Sequence, residues 1–322
     1  MLRLSAIALA VLASLTSLTS VSAAYPDRPM RYIVASAPGG GPDTSSRVIM
    51  AELSRIIGQQ VIVDNRPGAG GSIGTDLIAK STPDGYTMGH GNINTMAISR
   101  SVLSRLPYDP DRELQPVVQM YETPNLLAVT LGLPVKSVSE LIDYARKHPG
   151  DLIYASTGNG SSVHVGMELF KLMTNTQMIH VPYKAATVAI TDLASGRVQV
   201  MADNINSIGT HVKAGRLRGL AVTSSYRVPA FSELPTVIEA GLPGYAVTAW
   251  AGVIMPSGVP KPLVAQLNAH MNKALSSPTV KEKLAEQGCH VIGGTTEQYA
   301  EHIKREVARW ADVVKRSGAK VD

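Results

Sequence analysis

Short β-type runs alternate with amphipathic helical stretches along this chain, and several of those runs end in glycine or hydroxyl clusters. Such alternation calls for parallel strands joined by crossover helices. Residues 30–36 read as the first strand, broken by Pro38-Gly39-Gly40-Gly41-Pro42. The next helix carries Ile49, Leu53, Ile56 and Ile57 on one face, with Asp43 or Thr44 to cap it and Gly58 to end it. Residues 61–64 form a second strand. The glycine loop 67–71 leads to a helix at 74–80, and a third strand at 86–89 follows the turn Pro83-Asp84-Gly85. The pattern resumes with strands at 126–130 and 152–155. Between them Ser137 and Glu140 form a capping box for a helix. Further strands fall at 180–182, 198–202, 217–223 and 250–255. The final helix starts at a Thr295/Gln298 capping box and buries Tyr299, Ile303, Val307, Trp310 and Val314 at helical spacing. No long Gly/Ser linker interrupts the chain, so two lobes joined by short hinge strands are expected.

The first residues speak to compartment. Arg3, an apolar run over 4–18 and the small residues Ser20 to Ala24 have the form of a signal peptide cleaved after Ala23 or Ala24. The apolar run is short of the roughly 20 residues that a spanning helix needs. Nothing later is long and apolar enough to span a bilayer, so the mature chain is expected to be soluble. Hydrophobic residues make up 44% and charged residues 17%, a balance that packs rather than disorders. The net charge of +5 is mild and favours anionic ligands by long-range steering. The basic residues lack aromatic interleaving and read as solvated helix faces, which argues against nucleic acid. Cys289 is the single cysteine, so no internal disulfide or paired-cysteine metal site exists, and it reads as a small apolar side chain.

Two loops could carry chemistry, each after a strand and before a helix: 36–43 and 156–164. Ligands of open α/β sheets bind beyond the carboxyl ends of strands, where helix N-termini offer unpaired N–H groups and partial positive charge. Glycine lets a ligand approach the backbone, and hydroxyls donate to a carboxylate without adding charge. Each loop alone is also explained as a tight turn or a helix cap; the pair points to an anion. Gly70-Gly71-Ser72-Ile73-Gly74 matches a nucleophile elbow, which makes an exported hydrolase using Ser72 the rival reading. Ser72 lies eight residues past the strand, however, where the elbow must sit at its end. His164 and Glu168 have metal-ligand spacing but no third ligand. Neither a metal nor a cofactor is expected, and no catalytic residue is assigned.

Several stretches resemble the Bug family, the solute-binding components of tripartite tricarboxylate transporters. They are Tyr25-Pro26-Asp27-Arg28-Pro29, Ala37-Pro38-Gly39-Gly40-Gly41-Pro42-Asp43, Val63-Asp64-Asn65-Arg66-Pro67-Gly68-Ala69-Gly70-Gly71, Pro83-Asp84-Gly85-Tyr86-Thr87, Tyr154 through His164, Val181-Pro182-Tyr183-Lys184 and Glu233-Leu234-Pro235-Thr236-Val237. The resemblance implies an α/β type II periplasmic binding protein, two lobes with parallel-sheet cores joined by hinge strands. Lobe 1 would comprise 25–124 and 246–322, and lobe 2 would comprise 125–245. It also implies a small carboxylate held by backbone and hydroxyl groups of Ser36, Ala37, Pro38, Gly39, Gly40 and Asp43 from one loop. Ser156, Thr157, Gly160, Ser161, Ser162 and His164 would serve from the other. The far end of the ligand is expected near Asn94, Tyr183, Asp203 and Trp250. Departures from the family pattern occur at Ser36-Ala37, at Gly89 through Asn94, at Ala185 and at Ala251, and lost bulk there would enlarge the pocket. The expected partners are the membrane subunits of such a transporter, or a sensor kinase, with the protein acting as a monomer.

Overall fold

The computed structural model describes residues 25–319, so the expected signal peptide at 1–24 lies outside the described residues. The strands are β1 (Met30–Val34), β2 (Val61–Asn65), β3 (Thr87–Asn92), β4 (Leu114–Val129), β5 (Ile153–Ser156), β6 (Ile179–Pro182), β7 (Val200–Asn204), β8 (Arg218–Val222), β9 (Thr248–Pro256) and β10 (His290–Val291). The helices are α1 (Gly41–Ile57), α2 (Ser72–Ala79), α3 (Ser99–Val102), α4 (Val138–Lys147), α5 (Ser162–Thr174), α6 (Ala186–Ala194), α7 (Ile205–Lys213), α8 (Lys261–Ser276), α9 (Pro278–Glu286) and α10 (Thr296–Ser317). No helix among the described residues is long and apolar enough to cross a membrane.

The strands form a ten-stranded sheet in the order β2-β1-β3-β9-β4-β7-β5-β6, with β8 and β10 also paired to β4. At one end β1 pairs in parallel with β2 and β3; at the other β5 pairs in parallel with β6 and β7. Two long antiparallel strands, β4 and β9, join these parallel halves. β4 changes partner in mid-strand: Pro124 faces Thr248 of β9, and the next residue, Asn125, faces Asn204 of β7. The expected strand at 126–130 is thus only the end of a 16-residue strand. Gln, Pro and Glu in its first half hide the strand pattern from sequence, because pairing on both edges, not alternation, builds it.

Helix starts follow local chemistry. Thr295 accepts from the Gln298 N–H (3.2 Å) and Gln298 Oε1 accepts from the Thr295 N–H (2.8 Å), the reciprocal box read from sequence. Ser137 caps α4, but Glu140 reaches the Lys136 N–H (2.8 Å) instead of that of Ser137. α1 departs further from expectation. Its N-cap is Gly40, and Asp43 sits in the first turn, reaching back to the Gly39 N–H (2.8 Å). Pro42 explains the early start, since its fixed φ suits a first helical turn and its missing N–H would be unpaired there anyway. The stripe on α10 buries Tyr299, Ile303, Trp310 and Val314 as expected, with Val313 added and Val307 half-buried.

Candidate functional site

A cavity of about 140 Å³ lies against the middle of the sheet. Its floor is one face of three neighbouring strands. His90 and Asn92 on β3, Ala249 and Ala251 on β9, and Tyr121 and Thr123 on β4 are each two residues apart, so each pair shares a face. The register brings the pairs together: Ala251 faces both Asn92 and Tyr121, and Ala249 faces Thr123.

Three helix N-termini close over this floor. Gly41 and Pro42 open α1, Ser162 opens α5, and Asn204 caps α7 with Asn206 in its first turn; all line the cavity. A helix start presents unpaired N–H groups and the equivalent of about half a positive charge. No Asp, Glu, Lys or Arg is found among the described residues lining the cavity. Burial pushes the His90 imidazole down to about 4, so it is neutral at neutral pH. Its Nε2 lies 3.2 Å from the Tyr121 hydroxyl. The cavity is therefore a concentration of neutral donors and aligned dipoles, suited to an anion that keeps its charge without an ionic partner.

The first loop is held from behind. Asp43 is 3% exposed; its Oδ2 accepts from the Gly39 N–H (2.8 Å), and its Oδ1 from Asn65 (3.0 Å) and Arg47 (3.0 Å). Burial opposes the charge, but the Arg47, Gly39 and Asn65 hydrogen bonds outweigh it and hold the carboxyl below its ordinary range. Asp43 thus braces the loop with both oxygens. Gly39 adopts φ +77°, a left-handed turn that side chains disfavour. Ser36, Ala37, Pro38, Gly39 and Gly40 form the approach to α1, and the residues lining the cavity are the next two, Gly41 and Pro42.

The second loop is braced by two histidines. Ser161 caps α5 by accepting from the His164 N–H (3.2 Å), and the Gly160 N–H donates to His164 Nδ1 (3.0 Å). The His164 ring stacks on His180, with centroids 3.9 Å apart and planes 7° apart. His180 Nε2 lies 2.6 Å from Ser156 Oγ. Burial holds His164 below its ordinary value; burial and then the neighbouring His164 push His180 down to about 4. His164 therefore supports the loop from within, with its ring 5% exposed as part of the stack. Its helix neighbour Glu168 accepts from Tyr154 and Lys171. Among the described residues no group of three or more His, Cys, Asp or Glu is placed to hold a metal ion.

The other expected residues fall in different places. Ser162, Asn94 and Trp250 line the cavity; Thr157, Gly160 and Ser161 line a second cavity beside it. The indole N–H of Trp250 donates to Glu306 (3.0 Å), and its ring packs edge-on against Tyr299 and His302, so Trp250 borders the cavity while its ring lies in the packed interior. The Tyr183 hydroxyl donates to Asp192 (2.9 Å), which ties it to α6. Asp203 is buried, with its carboxyl pushed up to about 6 by desolvation, and does not line the cavity. Its neighbour Asn204 does, because successive strand residues face opposite ways. Ser45, His90, Asn92, Tyr121, Thr123, Asn204, Asn206 and Cys289 also line the cavity, beyond the residues expected to meet the ligand. For His90 and Asn92 the period-2 spacing was the available signal. Cys289 packs in the apolar core with Ile49, Met120 and Tyr121, in keeping with its reading as a small apolar side chain, and its Sγ also lies 3.3 Å from Thr123 Oγ1 at the cavity wall. Ser72 opens α2 behind a 3₁₀ turn (Ala69–Gly71), not at a strand end, and its Oγ has no hydrogen bond to any described histidine.

Acidification should destabilise the fold through His90. In the unfolded chain its imidazole takes a proton near 6.5, in the fold only near 4. Its effect is absent above about pH 6.5 and grows as pH falls to 4, reaching roughly 3 kcal/mol across that window. Asp203 acts oppositely: its raised value stabilises at low pH, and that contribution is lost as pH rises through about 6. Thermal melting of the His90→Gln variant should therefore be flatter between pH 6.5 and 4 than that of the parent. Parallel curves would show that His90 does not stay neutral in the fold.

The family described as tripartite tricarboxylate transporter family receptor matches residues 45–319. A UPF0065 protein from the tcbD-tcbE intergenic region of Pseudomonas sp. strain P51 is 40% identical, over 97% of this chain and 92% of that protein. Protein BugT of Bordetella pertussis is 36% identical, over 100% and 99%. Among solved structures, Rpa4515 of R. palustris with adipate superposes with a TM-score of 0.82 at 40% identity, covering 92% of this chain and 99% of that one. MatC of Rhodopseudomonas palustris with bound malate superposes with a TM-score of 0.78 at 32% identity, covering 90% and 100%.

Proposed function

Since the chain belongs to the tripartite tricarboxylate transporter receptor family, in which the Bug proteins also fall, we propose that it is a periplasmic solute-binding protein that captures a small carboxylate between two closing lobes. The observation that carries this reading is the convergence of three helix N-termini on a cavity whose described lining holds no charged side chain. A di- or tricarboxylate, an acidic amino acid or an aromatic acid fits that chemistry. The relatives solved with adipate and malate support the same ligand class.

Lobe 1 then comprises 25–124 and 246–322, and lobe 2 comprises 125–245. The change of partner along β4 at Pro124/Asn125 supports that division. It makes β4 and β9 the hinge: α1 closes from lobe 1 while α5 and α7 close from lobe 2. The N-terminal segment directs export, and the closed protein delivers its ligand to the membrane subunits of a tripartite tricarboxylate-type transporter. The reading assigns no catalytic step. Titration calorimetry with succinate, malate, glutamate and benzoate, beside the uncharged succinamide, tests it. At least one carboxylate is expected to bind at about micromolar Kd or tighter, near −8 kcal/mol, while the amide does not. A folded protein that binds no carboxylate would refute the proposal.

A further inference from the structure

Asp203 stands directly before Asn204, the residue that caps α7 and lines the small cavity. Successive strand residues face opposite ways, so the Asp203 side chain shares the face of Met201, in the core that α6 and α7 cover. It is 2% exposed, and its Oδ2 has no hydrogen-bond partner. The carboxyl accepts from the backbone N–H of Asn204, at the very start of the helix, and no cationic side chain pairs with it among the described residues. Its surroundings are apolar: Leu126 faces it across β4, and Val163, Ile190 and Ile208 belong to the same core cluster. The titratable groups of the elements packed on β7 are engaged elsewhere. Glu168 of α5 accepts from Tyr154 of β5 and from Lys171, and His164 stacks on His180. Asp192 of α6 accepts from Tyr183 and Arg197. Glu122 of β4 accepts from Thr248, while His211 and Lys213 lie in the last turn of α7. Desolvation raises the Asp203 carboxyl only to about 6, so it is ionised at neutral pH. An ionised Asp203 draws on the same helix start that an anionic ligand needs. Consecutive residues place its carboxyl within roughly 10 Å of an anion at Asn204. At an effective dielectric of about 20, two negative charges at that separation oppose one another by about tenfold in affinity.

We propose that Asp203 couples carboxylate capture to proton uptake: it is ionised in the free protein and takes a proton from solvent when an anion settles at the start of α7. The inference rests on the carboxylate reading above and adds to it the residue that answers the ligand's charge. Each negative charge disfavours the other, so a bound anion raises the proton affinity of Asp203. Binding is therefore strongest at low pH and weakens as pH rises through the range in which Asp203 ionises in the complex. The titratable groups of the cavity itself act outside that window. Burial keeps His90 neutral down to about 4 and raises the Tyr121 hydroxyl and the Cys289 thiol.

Calorimetry of succinate, malate, glutamate and benzoate in buffers of different ionisation enthalpy counts the protons. At about pH 6.5 the parent is expected to take up about half a proton per ligand more than Asp203→Asn does. The ratio of the two affinities cancels the ligand's own titration. Parent and variant should bind alike at about pH 5.5, and the variant about tenfold tighter at about pH 8, because the neutral amide removes the repulsion. A purely structural role for Asp203 would instead weaken the variant at every pH. Since the substitution removes an unpaired buried charge, the free variant should melt no lower than the parent at about pH 8; a lower melting temperature would show the carboxylate to be paired and overturn the coupling. Equal proton uptake by the two proteins, or an affinity ratio that stays constant with pH, would also overturn it while leaving the carboxylate site standing. Absence of binding by all four acids to either protein would overturn the site and the coupling together.

Discussion

Gly41→Trp is expected to abolish carboxylate binding, at least a hundredfold in Kd or about 2.7 kcal/mol, while leaving the fold intact. Gly41 is the first residue of α1 and lines the small cavity. A Cβ placed there would meet Asn206 Nδ2 at 3.4 Å, an ordinary contact that aims the new side chain across the cleft at the start of α7. An indole in that direction fills the cavity and covers two of the three helix starts. Gly41 is exposed and is not in the left-handed region, so the free protein should melt within about 0.5 kcal/mol of the parent. Retained affinity in calorimetry would remove the start of α1 from the site.

Gly252→Ala should have the opposite character, weakening the fold itself rather than blocking the cavity. Gly252 lies on β9 between Ala251 and Val253. A Cβ there would stand 2.4 Å from the Val118 carbonyl oxygen and 2.4 Å from the Tyr299 ring. The carbonyl belongs to β4, the facing strand, and Tyr299 is fully packed, with its hydroxyl donating to the Gly91 carbonyl (3.2 Å). Neither neighbour can yield without parting the three strands that make the cavity floor. Overpacking of this kind costs 1–3 kcal/mol and more where backbone is the obstacle, so a loss of about 3 kcal/mol or greater is expected in denaturant unfolding. A change below 1 kcal/mol would show that β4 and β9 are not packed this closely.

What could be read from sequence differs from element to element for physical reasons. The starts of α1 and α5 were legible because each follows a strand through glycine or hydroxyl residues, a local signature. The start of α7 carries no such signature: Asn204, Ile205 and Asn206 run straight on from β7 without a glycine. The residue chemistry there points instead to Asp203, which lies one residue away and on the other face of the strand. His90, Asn92, Tyr121 and Thr123 come from distant parts of the chain, and only the register of β3, β9 and β4 assembles them into a floor. Register is a long-range property that no local spacing encodes. His164 shows a further limit. Its position beside the second loop was visible, but its role in holding that loop depends on stacking against His180, a residue brought in by a neighbouring strand.

A crystal structure of the protein with a bound carboxylate tests the central claim most directly. The carboxylate oxygens are expected within hydrogen-bonding distance of backbone N–H or neutral side-chain donors at Gly41, Ser162 and Asn204 to Asn206, with no Lys or Arg on that carboxylate. A carboxylate seated elsewhere, or held at this cavity by a cationic side chain, would contradict the account.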